Sequence, residues 1–273
     1  MCTVIIGFDP ASPVPLVVAA LRDEMTDRPF ESPGAHWPSS PGLLGGRDLL
    51  AGGTWLAVST QGSPRVAAVL NGRLDTAHTA GRRPVLDRTV APDIPRRSRG
   101  ELPLLAARTG ELGLSPDQLR AFDPFHLIIA DSEAAALLSW DGTGLARQAL
   151  APGVTIVVNN GVDPAEPRAA RNTPLFERTR PVPGATVLAS AGSVGAVWGA
   201  WPGLLDGSVR DGARTAGTGS GTDDPAALIT RVELMDGRVW ATGSITLLAC
   251  APTALRYAFS DRPGDPTAWR MIR

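Results

Sequence analysis

The 273-residue chain contains no lysine: all 26 of its basic residues are arginine, set against 27 acidic ones. That absence removes every mechanism that needs an amine side chain. A phosphate-binding loop needs its lysine, pyridoxal chemistry its Schiff base, and a Ser-x-x-Lys dyad its base. Cysteine is nearly absent too. Cys2 and Cys250 are too few for a zinc ribbon, a CxxC redox pair or a disulfide framework. The histidines, His36, His78 and His126, are scattered without an HExxH spacing, so no metal site is expected. There is no Gly-x-Ser-x-Gly elbow for a serine hydrolase. The net charge is −1, so no nucleic-acid partner is expected. No run of 18 apolar residues occurs, so no membrane span is expected.

Abundant arginine, alanine, glycine and proline read as a GC-rich bacterial gene, which accounts for the missing lysine without any demand from chemistry. At 43% hydrophobic residues, the chain can bury a sizeable core. The opening segment has no basic n-region, and Asp9 and Pro10 interrupt its apolar run. It is therefore read as no signal peptide, and the expected compartment is the cytoplasm, where both cysteines stay thiols.

The pattern alternates strands with helices. Strands are expected at Thr3 to Phe8, Val14 to Leu21, Trp55 to Ser59 and Val66 to Leu70. The proline and glycine punctuation of 31–53 reads as a long loop. Residues 72–99 form an arginine-rich connection, read either as a solvated surface or as an anion-binding rim. Helical spacing follows over 100–113, and Ser115-Pro116 has the N-cap and N1 residues of a second helix. Short strands are expected at 127–130, 135–140, 145–150 and 155–159, then helices over 165–178 and 186–206. Residues 207–224 read as a flexible loop, and the Gly217-x-Gly219-x-Gly221 triplet in it neither follows a strand nor opens a helix. A hairpin over 228–250 and a strand near 256–259 close the chain. The strands are not each followed by a helix, so the expected class is α+β, two antiparallel sheets packed together with helices outside, in a single domain over 1–273.

Cys2 is the residue that points to chemistry. Once Met1 is removed, it would carry a thiol and a free α-amine together. The thiolate is a nucleophile, and an amine of pKa roughly 7.7–8.0 suits proton transfer near neutral pH. A thiol of pKa about 8.5 needs a nearby cation to activate it.

Separated motifs then carry a family resemblance. They are Met1-Cys2 with Phe8-Asp9-Pro10, Arg22-Asp23-Glu24 with Arg28-Pro29, and Gly52-Gly53-Thr54-Trp55-Leu56. They continue with Asn71, Arg99-Gly100-Glu101-Leu102, Phe125 to Asp131, and Asn159-Asn160. In this order, over most of the first 160 residues, the chain resembles the NRDE family, which contains the transport and Golgi organisation 2 homologues. The resemblance implies a four-layer αββα N-terminal nucleophile hydrolase fold. Cys2 would be the nucleophile acting on a linear amide, with Arg22 favouring its thiolate. Asp23 or Glu24 would hold the α-amine, Asn71 would donate to the oxyanion, and Asn160 would help orient it. Glu24, Trp55 and Arg99 are the candidates to bind a small-molecule amide or acyl substrate, and no cofactor is implied.

The chain departs from the family pattern at Leu21 (asparagine in the family), Leu70 (threonine) and Pro167-Arg168-Ala169-Ala170 (Pro-Trp-x-Lys). It also departs at Gly243, where the family has an arginine for which Arg238 is the candidate replacement. A second reading from the family is a non-catalytic haem- or lipid-handling protein on the same fold, in which one of the histidines would be an axial ligand. The sequence does not fix the oligomeric state.

Overall fold

The computed structural model describes residues 2–72, 94–207 and 224–273. The chain begins with β1 (Thr3–Phe8) and β2 (Leu16–Met25), then β3 (Phe30–Gly34), β4 (Leu43–Asp48), β5 (Leu56–Ser59) and β6 (Arg65–Asn71). Helices α1 (Leu102–Thr109) and α2 (Pro116–Leu119) precede β7 (Phe125–Ala130), β8 (Ala135–Trp140), β9 (Leu145–Ala149) and β10 (Gly153–Val158). Four helices follow: α3 (Pro167–Arg178), α4 (Ala185–Ser190), α5 (Val194–Trp198) and α6 (Trp201–Asp206). Strands β11 (Arg231–Glu233), β12 (Val239–Ala251), β13 (Ala254–Ser260) and β14 (Arg270–Met271) complete the chain.

Two seven-stranded antiparallel sheets result. One runs β10-β1-β2-β12-β13-β14 with β11 also paired to β12, and the other is a meander from β3 through β9. Period-2 alternation sends each strand's apolar residues into two layers. From β2, Leu16, Val18 and Ala20 enter a core shared with Leu56, Val58, Val66 and Ile128 of the other sheet. Its alternate residues, Val17, Ala19 and Leu21, face Phe176, Leu188, Trp198 and Trp201 of α3 to α6. On the far side of the second sheet, Ala57, Ala67 and Leu127 face Leu102, Ala106 and Leu119 of α1 and α2. Three buried cores thus separate four layers, helices, sheet, sheet, helices: the αββα sandwich that the sequence led us to expect.

Local signals hold well. Helix α1 ends at Gly110, which adopts φ 84° and donates its N–H to Ala106, as a left-handed C-cap does. Ser115 caps α2 in a reciprocal capping box with Gln118. Three expectations need correction. The helical spacing over 100–113 yields α1 only over Leu102–Thr109, because Gly110 closes it. Residues 31–53 are not one long loop, since β3 and β4 cross them. The misleading glycines serve close packing rather than turns: a Cβ on Gly45 would lie 2.4 Å from the Leu56 carbonyl oxygen, and one on Gly46 would overlap the Trp55 ring. The helical stretch over 186–206 is three short helices, α4 to α6, with a break at Gly199. The flexible loop expected at 207–224 and the arginines at 82, 83 and 88 fall outside the described residues, except for the loop's two end positions. No helix of the described residues is long and apolar enough to cross a membrane.

Leu248 is fully buried between the sheets, whereas Leu145 on the edge strand β9 is 40% exposed. Leu248→Ala should lower unfolding free energy by about 2–5 kcal/mol, and Leu145→Ala should stay within about 0.5 kcal/mol of the parent. Urea titration at neutral pH measures both.

Candidate active site

Of the residues singled out from the sequence, all but Asn160 meet at one end of the sheet interface. In β1 and β2, Thr3 pairs with Leu21; one further step of that register sets Cys2 opposite Arg22. Cys2 packs against the inter-sheet core, and its Sγ donates to the Asp23 carbonyl at 3.4 Å. A cavity of about 380 Å³ is lined by Cys2, Arg22, Asp23, Glu24, Trp55, Asn71 and Arg99. Asn160 is not among the lining residues. It lies exposed in the turn after β10, while its neighbour Asn159 donates through Nδ2 to the Asn71 carbonyl at 2.8 Å.

Arg22 extends from β2 into the space between the sheets. Its guanidinium carbon lies 4.7 Å from the centroid of the Trp55 ring and 5.6 Å from that of Phe30, a range in which a cation is attracted to a π face. Nη2 donates to Asp48 at 3.2 Å and lies 3.8 Å from Glu24. Burial pulls the guanidinium below its usual value, and the charges of Glu24, Asp48 and Cys2 oppose that.

Asp48 is a residue that sequence reasoning missed. Besides Arg22, it accepts from Arg28 Nε at 2.6 Å and Nη2 at 3.1 Å. It also caps its own loop through the backbone N–H groups of Leu50 and Ala51. Burial would raise its carboxyl, but the Arg28 hydrogen bond, the Ala51 N–H and the two arginine charges outweigh burial and hold it low. The usable signal was local: an aspartate ending a strand just before Gly52-Gly53, able to close a turn through its side chain.

Strand alternation separates the two candidate acids. Glu24 shares the inter-sheet face with Arg22 and also pairs with Arg28 at 3.7 Å. Asp23 points to the helix side and is fully buried. There it accepts from Thr242 at 2.6 Å and Thr230 at 3.3 Å, with Arg168 at 3.7 Å. Arg168, which the sequence offered only as a departure from the family pattern, also donates to Thr3. At Thr242 and Ser244 the β2–β12 register shifts around Gly243. The candidate replacement Arg238 is elsewhere, exposed in the hairpin turn and paired with Asp236 at 2.9 Å. Leu21 and Leu70, the other departures, are both buried apolar core residues.

The Gly-Gly motif has a packing reason. A Cβ on Gly53 would lie 2.5 Å from the Gly100 carbonyl carbon, and Thr54 N–H donates to the Gly100 oxygen at 2.9 Å. That contact docks the Arg99 segment against the loop carrying Trp55. Arg99 reaches back to donate to the Pro124 carbonyl at 2.9 Å.

The Cys2 thiol is raised above its ordinary value, first by burial and then by the charge of Asp23; Arg22 pulls the other way and is outweighed. The thiolate-favouring effect expected of Arg22 is therefore present but not dominant in the chain that still carries residue 1. His126 contacts Ser139 at 2.8 Å, and His36 lies against Ser32 and Glu31. These two histidines share no site, and His78 falls outside the described residues.

A family model described as Transport and Golgi organisation 2 matches residues 1–180. No curated protein matches the chain. Among solved structures it is similar to a Caenorhabditis elegans N-acylethanolamine-hydrolyzing acid amidase (NAAA) ortholog, at 10% identity and a TM-score of 0.40, with 100% of both chains covered.

Asp48→Asn should cost about 1–3 kcal/mol, because Arg22 and Arg28 lose a charged acceptor. The pH dependence has a definite sign. A carboxyl held below its unfolded value stabilises the fold above the ordinary carboxylate range, and that contribution is lost as pH falls through its folded value. The gap between parent and Asp48→Asn should therefore be full at pH 7 and shrink below about pH 4. Urea midpoints over that range provide the measurement.

Proposed function

The chain belongs to the Transport and Golgi organisation 2 family, and on that premise we propose that it is an N-terminal-cysteine amidohydrolase. It cleaves a linear amide C–N bond through a Cys2 thioester. The observation that carries this reading is the meeting of the Cys2 thiol with Arg22, Asn71 and Arg99 at one cavity, with buried Asp23 adjoining it.

Cleavage of the Met1–Cys2 bond turns the Cys2 amide nitrogen into an α-amine. The amine takes the thiol proton and the thiolate attacks the substrate carbonyl carbon. The resulting oxyanion accepts from Asn71, an interaction that strengthens as charge develops. Collapse of the tetrahedral intermediate breaks the C–N bond. The departing amine takes the proton from the ammonium and leaves the acyl group on sulfur. Water then attacks the thioester, passing its proton to the α-amine, and the acid departs as the thiol re-forms.

Of the two adjacent acids, Asp23 is assigned to the α-amine. Its charge acts on Cys2, and Glu24 is engaged by two arginines. Asn159 takes the orienting part first given to Asn160, because it is the residue hydrogen-bonded to Asn71. The activity is proposed for residues 1–273 as one domain, since the first sheet draws strands from both ends of the chain. A cytoplasmic location and a small-molecule amide substrate belong to the same proposal.

Intact mass should show a chain beginning at Cys2, and iodoacetamide should label that residue. Cys250 should stay unlabelled while the protein is folded, because it is fully buried and its thiol is pushed up to about 12. Cys2→Ala should lower amide turnover by roughly 10³-fold or more. Active protein that retains Met1 would sink the mechanism. Asn71→Ala should lower kcat by roughly 10²–10³-fold. Asn159→Ala should also slow turnover, while Asn160→Ala should leave it near parental; the reverse order in the same assay would return the orienting role to Asn160.

A further inference from the structure

Charge pairing around the cavity leaves one group over. Asp48 is taken by Arg22 and Arg28, and Glu24 lies against the same two arginines. Asp23 has Arg168, Asp123 has Arg96 at 3.5 Å, and Arg97 is paired with Glu101. Among the described residues, Arg99 alone of the arginines lining the cavity has no carboxylate partner. The one hydrogen bond of its guanidinium among the described residues is the Nη1 donation to Pro124. A guanidinium carries five N–H donors in a rigid fork, so most of that fork is unused.

The unused fork is also held in place. Ser98 accepts from the Gly100 N–H and caps the short helical turn that carries Arg99. Gly100 is then locked against Gly53 and Thr54. Burial pulls the Arg99 guanidinium below its usual value, with Asp123, Cys2 and Glu24 opposing that only through their charges. The cation is thus partly desolvated, preorganised and without a paired carboxylate, in the cavity that holds the nucleophile.

We propose that the substrate is a carboxylate-bearing amide and that Arg99 is the residue that binds its carboxylate. This rests on the hydrolase reading above and names the substrate class for it. A planar fork matches a carboxylate with two parallel hydrogen bonds. One spare positive charge suits a single negative charge. A phosphate would bring nearly two charges into a cavity already lined by Glu24, Asp48 and Asp123.

The test separates binding from turnover by using the Cys2→Ala chain. N-octanoylglycine and N-octanoylglycinamide differ only in a carboxylate on the amine side. The monomethylamide of octanedioic acid and N-methyloctanamide form the matching pair for the acyl side. Calorimetry should show one acid binding at least roughly tenfold more tightly than its neutral partner. Adding Arg99→Gln should bring that pair within about twofold, and adding Arg97→Gln should leave the preference intact. Equal binding within both pairs, no binding by any probe, or a preference that survives Arg99→Gln would each overturn the proposal. The parent comparison alone decides the preference for an acid if Arg99→Gln does not fold.

A role for Arg99 in activating the thiol predicts no such preference in a chain that lacks the thiol. Turnover of the same probes by the Cys2-bearing protein reads the hydrolase proposal separately. Binding preference without turnover removes the hydrolase reading and keeps the carboxylate site, and turnover without charge preference does the opposite.

Discussion

A buried guanidinium between two sheets is the constraint around which the site is organised. Arg22 leaves β2 on the inter-sheet face, where the layer is otherwise filled by apolar side chains. Desolvating a cation costs several kcal/mol unless its charge and donors are met. Asp48 meets them from the other sheet, and Trp55 and Phe30 present ring faces to the remaining surface. Each of those partners makes its own demand. Trp55 needs Gly46 without a side chain, Asp48 needs a loop that returns N–H groups to it, and that loop needs Gly53 to pass Gly100. The site's scattered glycines and acids are thus consequences of one cation placed where the sheets meet.

That arrangement explains what could be read from the sequence. Strand period and caps are local, so β1 and the Ser115 cap with Pro116 at the start of α2 followed from neighbouring residues. The motif order was legible for the same reason, because each motif is a short local element. The turn-closing part of Asp48 had a local signal, but its pairing with Arg22 was not legible, since that arginine lies 26 residues away on another sheet. Glycine misled over 31–53 because one residue type serves two ends: it permits turns, and it permits backbones and rings to approach closely. In β4 the second use governs. The choice between Asn159 and Asn160 turned on a single step at the end of β10, where the strand gives way to a turn and alternation stops being a guide. Arg168 stood out only as a departure from the family pattern; its burial depends on Asp23 and Thr3, far off in the chain.

The departures from the family pattern read differently once placed. Leu21 faces the helices and Leu70 faces the opposite sheet, each buried in an apolar core. At both positions an apolar side chain extends a core, and the cavity-lining residues beside them, Arg22 and Asn71, are retained. Gly243 sits at the irregularity in β12 that brings Thr242 onto Asp23. The position that has an arginine in the family therefore helps to shape the acid's pocket here, and the cavity draws its cations from Arg22, Arg28, Arg97 and Arg99.

Adjacent acids with opposite surroundings show how a period of two divides labour. Asp23 and Glu24 differ by one position on β2, so one faces the helices and the other faces the second sheet. Asp23 has lost contact with water and is met by two threonine hydroxyls and Arg168. Glu24 keeps some exposure and is shared by two arginines. Exchanging the two residues would conserve composition and charge. It would also put the longer acid into a pocket closed around the shorter one, and the shorter acid out of reach of the arginine pair. The proposed mechanism therefore depends on order within Arg22-Asp23-Glu24: the cation beside the thiol, the buried acid behind the chain start, and the second acid returned to the cation's face.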